Sequence, residues 1–454
     1  MNLRQGIPRH PFAIAGVIIG ATSATVFIAL VLASLLGLFD GPYSGLILFV
    51  ALPVMFTLGV ALVVLGTWRH RLARGSGAEE DWPVWDFRVL RTRRLALLWS
   101  MFIALNIVTI LVVGYGGLHA METPGFCGQV CHTPMHPQFT AWQAGTHATV
   151  ACASCHVGSG AQGFLHAKLA GTRQLAHVIT NAYPRPVPAG SGADSPVGGV
   201  PCATCHDVNR VRGNVVRVIR EYADDEANTE TITTLLMHLG RGGSSGRAIH
   251  WHADPSVRVE YAAADEGRQK IPYVKVTDAS GRVTEYEDTD AGGGSVDRSH
   301  LRVMTCADCH NSIGHGMAAT PEQAVDRAIG ARQIDRALPF IRREAVRVLK
   351  ATYPSADDAD RGIEDDLRRT YQKQAPNGDQ EIARTIAAIR ALYRRNVFDT
   401  MKVTWGTYPD NSSHIIAPGC NRCHGGTTKS KDGKVISDDC EYCHTEIPTP
   451  ELPK

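Results

Sequence analysis

The sequence has almost no surplus of charge. Its 46 lysines and arginines stand against 44 aspartates and glutamates, a net charge of +2. That is too little for a nucleic-acid surface, and no basic stripe interleaved with aromatics appears, so nucleic acid is excluded as a partner. Three stretches have no charge at all: residues 11–38, 44–67 and 95–117. The mean hydropathy of -0.09 therefore averages a very apolar first quarter with a polar remainder. Nor is there a cysteine outside a pair. All 12 fall into Cys127/Cys131, Cys152/Cys155, Cys202/Cys205, Cys306/Cys309, Cys420/Cys423 and Cys440/Cys443.

Each second cysteine is followed at once by histidine: His132, His156, His206, His310, His424 and His444. Five pairs read C-x-x-C-H, and the first, Cys127-Gly-Gln-Val-Cys131-His132, has one extra residue between its thiols. Two thiols at this spacing add across the vinyl groups of haem, and the adjacent histidine becomes the proximal iron ligand. A zinc ribbon could use two such pairs but needs no histidine after every second cysteine. Disulfides leave the histidines equally unexplained. The pattern predicts six covalently attached c-type haems.

Each uncharged stretch exceeds the roughly 20 residues that cross a bilayer as helix. A cleaved signal peptide would have a shorter apolar part and no second span directly behind it. Arg4 and Arg9 precede the first span, and Arg69, Arg71, Arg74, Arg88, Arg91, Arg93 and Arg94 crowd the loop before the third. The positive-inside rule then puts the N-terminus and that loop in the cytoplasm of a multi-pass inner-membrane protein, with residues 118–454 periplasmic, where c-type haem is attached.

The expected fold is a multihaem cytochrome c: three N-terminal transmembrane helices, then a loop-rich, mainly α haem domain with a small β-hairpin insert. Its divisions are a membrane anchor over 1–117, haems 1–3 over 118–206, a β-containing insert over 207–300, haem 4 and a helical segment over 301–410, and haems 5–6 over 411–454. The alternating runs Val257–Tyr261, Ile271–Val276 and Val283–Tyr286, with Asp278-Ala-Ser-Gly281 between the last two, predict the hairpin. Ile334, Leu338, Ile341, Val346 and Leu349 suit one amphipathic helix. Ile363, Leu367 and Tyr371 suit a second, and Ile382, Ile386, Ile389, Tyr393 and Val397 a third. Apolar residues are sparse around the motifs, as expected where porphyrins supply the buried surface.

Of the 19 histidines, eleven non-proximal ones lie on the haem side: His119, His136, His147, His166, His177, His238, His250, His252, His300, His315 and His414. Bis-histidine ligation of every iron is thus affordable by count. The leading distal candidates are His147, His315 and His414, followed by His238, His250 and His252; a surplus histidine is otherwise a surface or core residue. Met135 is an axial candidate for haem 1, where methionine would raise the potential, or else a packing residue.

The stretch Phe126-Cys-Gly-Gln-Val-Cys-His-Thr-Pro-Met135, followed by His147-Ala-Thr-Val-Ala-Cys-Ala-Ser-Cys-His156, resembles the start of NapC/NirT-type membrane quinol dehydrogenases, and more closely their larger multihaem inner-membrane relatives. The likeness continues through Tyr183-Pro-Arg-Pro186, His250-Trp-His-Ala-Asp-Pro255 and Asp308-Cys-His-Asn311. It is strongest in Met401-Lys-Val-Thr-Trp-Gly-Thr-Tyr-Pro409 with His414 and the last two motifs. The resemblance implies oxidation of menaquinol or ubiquinol beside haem 1, with a lysine after motif 2 at the site. Lys168 occupies that stretch, and Gln174 and His136 are weaker candidates. It also implies periplasmic or extracellular cytochromes or reductases as electron acceptors. Two departures stand out. Several relatives have one more haem motif, and many have a histidine soon after motif 5 where this chain has Gly425-Gly-Thr-Thr428. One competing function is an electron-transfer subunit without its own quinol site, its extra spans docking a membrane partner subunit. A terminal reductase is disfavoured, because no C-x-x-C-K motif leaves a lysine-ligated iron.

Overall fold

The computed structural model describes residues 11–35, 51–74, 121–131, 133–157, 160–188, 201–207, 213–240, 248–288, 296–372 and 379–448, with isolated positions between them. The chain divides into two compact units, Met1–Val130 and Cys131–Lys454.

In the first unit, α1 (Pro11–Leu35) and α2 (Leu52–Arg74) are each long and apolar enough to cross a bilayer. They pack through small residues. A side chain at Gly16 or Gly59 would collide with the facing backbone, and one at Gly66 would collide with Ala13. Gly16 and Gly20 form the G-x-x-x-G spacing that lets two helix backbones approach closely in lipid, where packing replaces the hydrophobic drive. The expected third span, 95–117, lies outside the described residues apart from isolated positions.

In the second unit, α3 (His136–Gln143), α4 (Cys152–His156), α5 (Gly160–Ile179) and α6 (Pro201–Cys205) precede a β region. Where one small hairpin was expected, two antiparallel sheets occur. β1 (Asn214–Tyr222) and β2 (Glu230–His238) join β8 (His444–Ile447) in the order β1-β2-β8. The other sheet holds β3 (Arg258–Ala262), β4 (Tyr273–Thr277), β5 (Val283–Asp288), β6 (Arg302–Val303) and β7 (Thr428–Ser430), ordered β6-β3-β4-β5-β7. The expected hairpin strands are β4 and β5, paired from Tyr273–Glu287 to Thr277–Val283. Gly281 closes their turn at φ +80, a conformation that costs glycine nothing. Both sheets draw their final strand from beyond residue 427, so the last two motifs are stitched back onto the insert.

The haem-free module lies between motifs 4 and 5. After the one-turn α7 (Cys306–Cys309) come α8 (Pro321–Gly330), α9 (Ile341–Lys350), α10 (Ala356–Tyr371) and α11 (Asp379–Asn396). Their core contains Val325, Ile334, Ile341, Val348, Leu349, Ile363, Leu367, Tyr371 and Ile389, all buried. The single helix expected over 334–349 begins only at Ile341. Pro339 and the left-handed Phe340 (φ 58) interrupt it, and residues 334–338 pack into the core as a turn. Asn228 fastens the β1–β2 turn to this module. Fully buried, it donates to the carbonyls of Arg336 (3.0 Å) and Leu338 (2.9 Å) and accepts from the Arg342 N–H (2.9 Å).

Opposite charges clamp α10 to α11. Burial pushes Asp360 up, but hydrogen bonds from Arg394 (2.8 Å) and Arg390 (3.0 Å) outweigh it and hold the carboxyl below its ordinary value. A depressed carboxylate contributes stability that is present above its unfolded pKa of about 4 and is lost as pH falls further. Leu367→Ala should cost about 2–5 kcal/mol through the cavity it leaves, read as a lower thermal midpoint with haem content unchanged. Asp360→Asn should flatten the acid limb of the stability curve below about pH 4, and an unaltered acid limb in the variant would contradict this clamp.

Candidate haem centres

The attachment motifs sit on short helical turns because a turn brings residues three apart to one side. Cys152–His156, Pro201–Cys205 and Cys306–Cys309 are single α turns, while Gly419–Arg422 and Cys440–Tyr442 are tighter 3-10 turns. The N–H groups of His206, His310 and His424 donate to the carbonyl of the first cysteine of their own motif, at 2.7, 2.8 and 3.0 Å. The extra residue of motif 1 is absorbed by a π turn over Phe126–Cys131. This wider turn returns position 131 beside 127, as the four-residue spacing requires. Motif 4 carries a capping box: Thr305 N–H and hydroxyl donate to Asp308 Oδ2 at 2.7 and 3.0 Å.

Five proximal histidines each face one other imidazole. Ring centroids lie 6.1 Å apart for His206–His147, 5.8 Å for His156–His315 and 6.2 Å for His310–His250. For His424–His252 the separation is 5.8 Å, and for His444–His414 it is 6.1 Å. Two nitrogens bound to one metal at about 2 Å each, with ring centres roughly 1 Å further back, require about 6 Å. The donor sets fit a haem iron between each pair. Three pairs are near-parallel (18°, 19° and 20°, for His156, His310 and His444), while His206 and His424 meet their partners at 64° and 88°.

The surroundings favour ligation. Nδ1 of His250 lies 2.6 Å from the Leu239 carbonyl, Nδ1 of His252 2.9 Å from Ile249 O, and Nδ1 of His424 2.7 Å from Ser437 O. A carbonyl partner fixes the tautomer and leaves Nε2 free for a metal. Burial lowers His156, His252, His310, His315 and His444, His315 to about 4, so these rings are neutral at neutral pH, the form that binds metal.

The thiols follow one another through the fold. Burial raises Cys155, Cys202, Cys309 and Cys443, and each is also raised by a cysteine of an adjoining motif: Cys205, Cys306, Cys420 and Cys420 respectively. Cys202 and Cys306 are in hydrogen-bond reach of each other. These electrostatic neighbours run from motif 2 to motif 6 in sequence order.

Other expected site residues lie elsewhere. His238, on β2, bonds Asn214 Oδ1 and Thr445 Oγ1, each at 3.1 Å; it lies near enough to His444 to lower it, but its ring is not opposed to that of any described motif histidine. Met135 is half-buried beside α3 and His136 is exposed, edge-on to Phe398 at 5.5 Å. Gln174 is exposed on α5, which also carries Lys168, whose side chain lies outside the described atoms. His132 lies outside the described residues. Sequence reasoning passed over Asp308 and Arg422, the charged residues inside motifs 4 and 5, although their position between paired cysteines was visible. It also gave no reason for the Met401–Pro409 likeness. There Tyr408 accepts from Gln138 of α3 (2.9 Å) and donates to Val187 O (2.8 Å), joining distant segments of the second unit.

Covalent attachment motifs beside opposed imidazoles define a c-type cytochrome, an electron-transport protein carrying covalently bound haem. The model of the NapC/NirT cytochrome c family, N-terminal region, matches residues 90–186. Cytochrome c-type protein ImcH of Geobacter sulfurreducens is 35% identical over 460 residues, covering 98% of this chain and 90% of that protein. No solved structure matches. The chain belongs to the NapC/NirT cytochrome c family, as a membrane member with apolar N-terminal helices.

Proposed function

We propose that this protein is a hexahaem quinol dehydrogenase of the inner membrane. Electrons from menaquinol or ubiquinol enter near haem 1 and pass along haems 2 to 6 to a periplasmic or extracellular acceptor. The observation that carries this reading is the set of five opposed imidazole pairs at one-iron spacing. On it, the residues that would hold each iron are His156 and His315 for haem 2, His206 and His147 for haem 3, His310 and His250 for haem 4, His424 and His252 for haem 5 and His444 and His414 for haem 6. His252 and His414 then fill the last two irons without a histidine after motif 5.

Haem, when bound, supplies one-electron chemistry at its iron; the chain supplies ligands, order and burial. Two histidines on each of these five irons leave no open position for a small substrate, which favours electron transfer over reduction of a ligand at these haems. Quinol oxidation also releases two protons, so a titratable group near haem 1 is required. Lys168 is assigned that role on the family resemblance, with Met135 as the axial candidate on haem 1. The uncharged spans and the arginine-rich 68–94 loop support a multi-pass anchor with a periplasmic haem domain.

In the purified holoprotein, a menaquinol analogue should reduce the haems, and Lys168→Ala should slow that reduction at least about tenfold. Absence of reduction in the wild type would instead favour the electron-transfer subunit. Replacing His315 by alanine should convert one low-spin haem into a high-spin one that binds carbon monoxide, whereas His238→Ala should leave all haems low-spin. A low-spin His315→Ala protein would overturn the pairing.

A further inference from the structure

Motifs 4 and 5 are tied together on two sides. On the distal side, His250 and His252 sit two residues apart on one turn, Ile249–Ala253. On the attachment side, Arg422, the residue before Cys423, reaches out of motif 5 into motif 4. Its Nη2 donates to the Asp308 carbonyl (2.7 Å), its Nη1 to the Arg268 carbonyl (3.0 Å) and its Nε to the Gly419 carbonyl (2.8 Å).

Arg422 is only 9% exposed, and its three bonds all end on main-chain oxygens. The nearby carboxylate is already engaged. Asp308 Oδ1 accepts from Tyr261 (2.7 Å) and Arg268 (2.9 Å), Oδ2 accepts from Thr305, and Arg302 approaches Oδ1 at 3.6 Å. Two guanidiniums thus share this one buried carboxylate, and the bonds of Arg422 take neither of its oxygens. Arg422 stands between Cys420 and Cys423, so its charge lies inside the attachment turn of motif 5. A buried guanidinium without a carboxylate is costly to keep, and a polar or apolar residue would avoid that cost. What it gains is a stronger field at low dielectric.

We propose that Arg422 is a fixed buried cation that raises the reduction potentials of haems 4 and 5, making them the pair on which electrons settle first. This rests on the haem reading above. Reduction of a ferric haem held by these motifs, by one electron from the preceding haem, would remove one unit of positive charge there, and the Arg422 cation would stabilise the reduced form. One quinol yields two electrons and two protons, and two adjoining haems of raised potential hold both electrons. The middle of the chain then acts as a two-electron store, and the donor site is cleared before either electron leaves.

The test is a spectroelectrochemical titration of the full-length holoprotein, with haem stoichiometry measured separately by pyridine haemochrome and intact mass. In Arg422→Met, the portion of the curve belonging to two haems should move to lower potential. Arg422→Lys, which keeps the charge but not the three carbonyl bonds, should stay near the wild type. Asp308→Asn should move the same portion upward. Unmoved potentials in a fully loaded Arg422→Met protein would overturn the proposal, as would equal shifts in the Met and Lys variants, which would mark a structural role. If the Met variant does not load haem, Asp308→Asn decides, and an unmoved or lowered curve there overturns it. A wild-type protein with fewer than six haems would overturn the haem reading instead, so the two failures are distinct.

Discussion

The distance between two opposed imidazoles governs the second unit of this molecule. Five pairs are held at 5.8 to 6.2 Å, and three of them, His206–His147, His156–His315 and His444–His414, join segments that neither apolar cluster joins. A conventional core would do this with contiguous apolar side chains. Here the apolar clusters are confined to the helical module and to one sheet, while the motif turns expose much of their surface. Segments such as Thr146–His156 and Pro409–Cys420 are held by single polar bonds, Trp142 to the Val150 carbonyl in the first and Asn311 and Asn411 in the second. The secondary structure around them is short: single turns, with few hydrogen bonds to spare for their own stability.

The helical module between motifs 4 and 5 is built on the opposite plan. Its four helices carry their own core and their own ion-pair clamps, and it contains no attachment motif. It binds the β1–β2 turn through Asn228 and α3 through α11. Set between motifs 4 and 5, this module gives the surrounding loops a packed surface built from the chain's own side chains.

The sequence disclosed attachment chemistry almost completely, because thioether formation is local: two thiols and a histidine within one turn. Distal partners are a different matter. His147, His250, His252, His315 and His414 could be nominated by count and neighbourhood, but nothing in the chain tells His147 to face His206 rather than the motif that follows it. That is a property of the folded path. The β region was half legible. β4 and β5 alternate as half-buried strands do, whereas β1 is exposed along nearly its whole length and shows no alternation. The apolar spacing of residues 334–349 runs straight across Pro339, since it records contact with one core and not one helix. Thr320-Pro321 was a readable start signal for α8 that the apolar periodicity did not include.

The long reach of the pairs has a consequence in time. A domain delivered in chain order presents His156 long before His315, and His424 completes its pair only by turning back to His252. On the proposed pairing, haem 2 receives its thioether bonds early but waits, singly ligated, until most of motif 4 and the turn beyond it have emerged. Each closure then acts as a cross-link across a long loop, removing freedom from the unfinished chain as a disulfide would. Maturation would therefore proceed out of numerical order: haem 3 can close as soon as its own motif arrives, ahead of haem 2, and haem 5 draws the tail back over the insert.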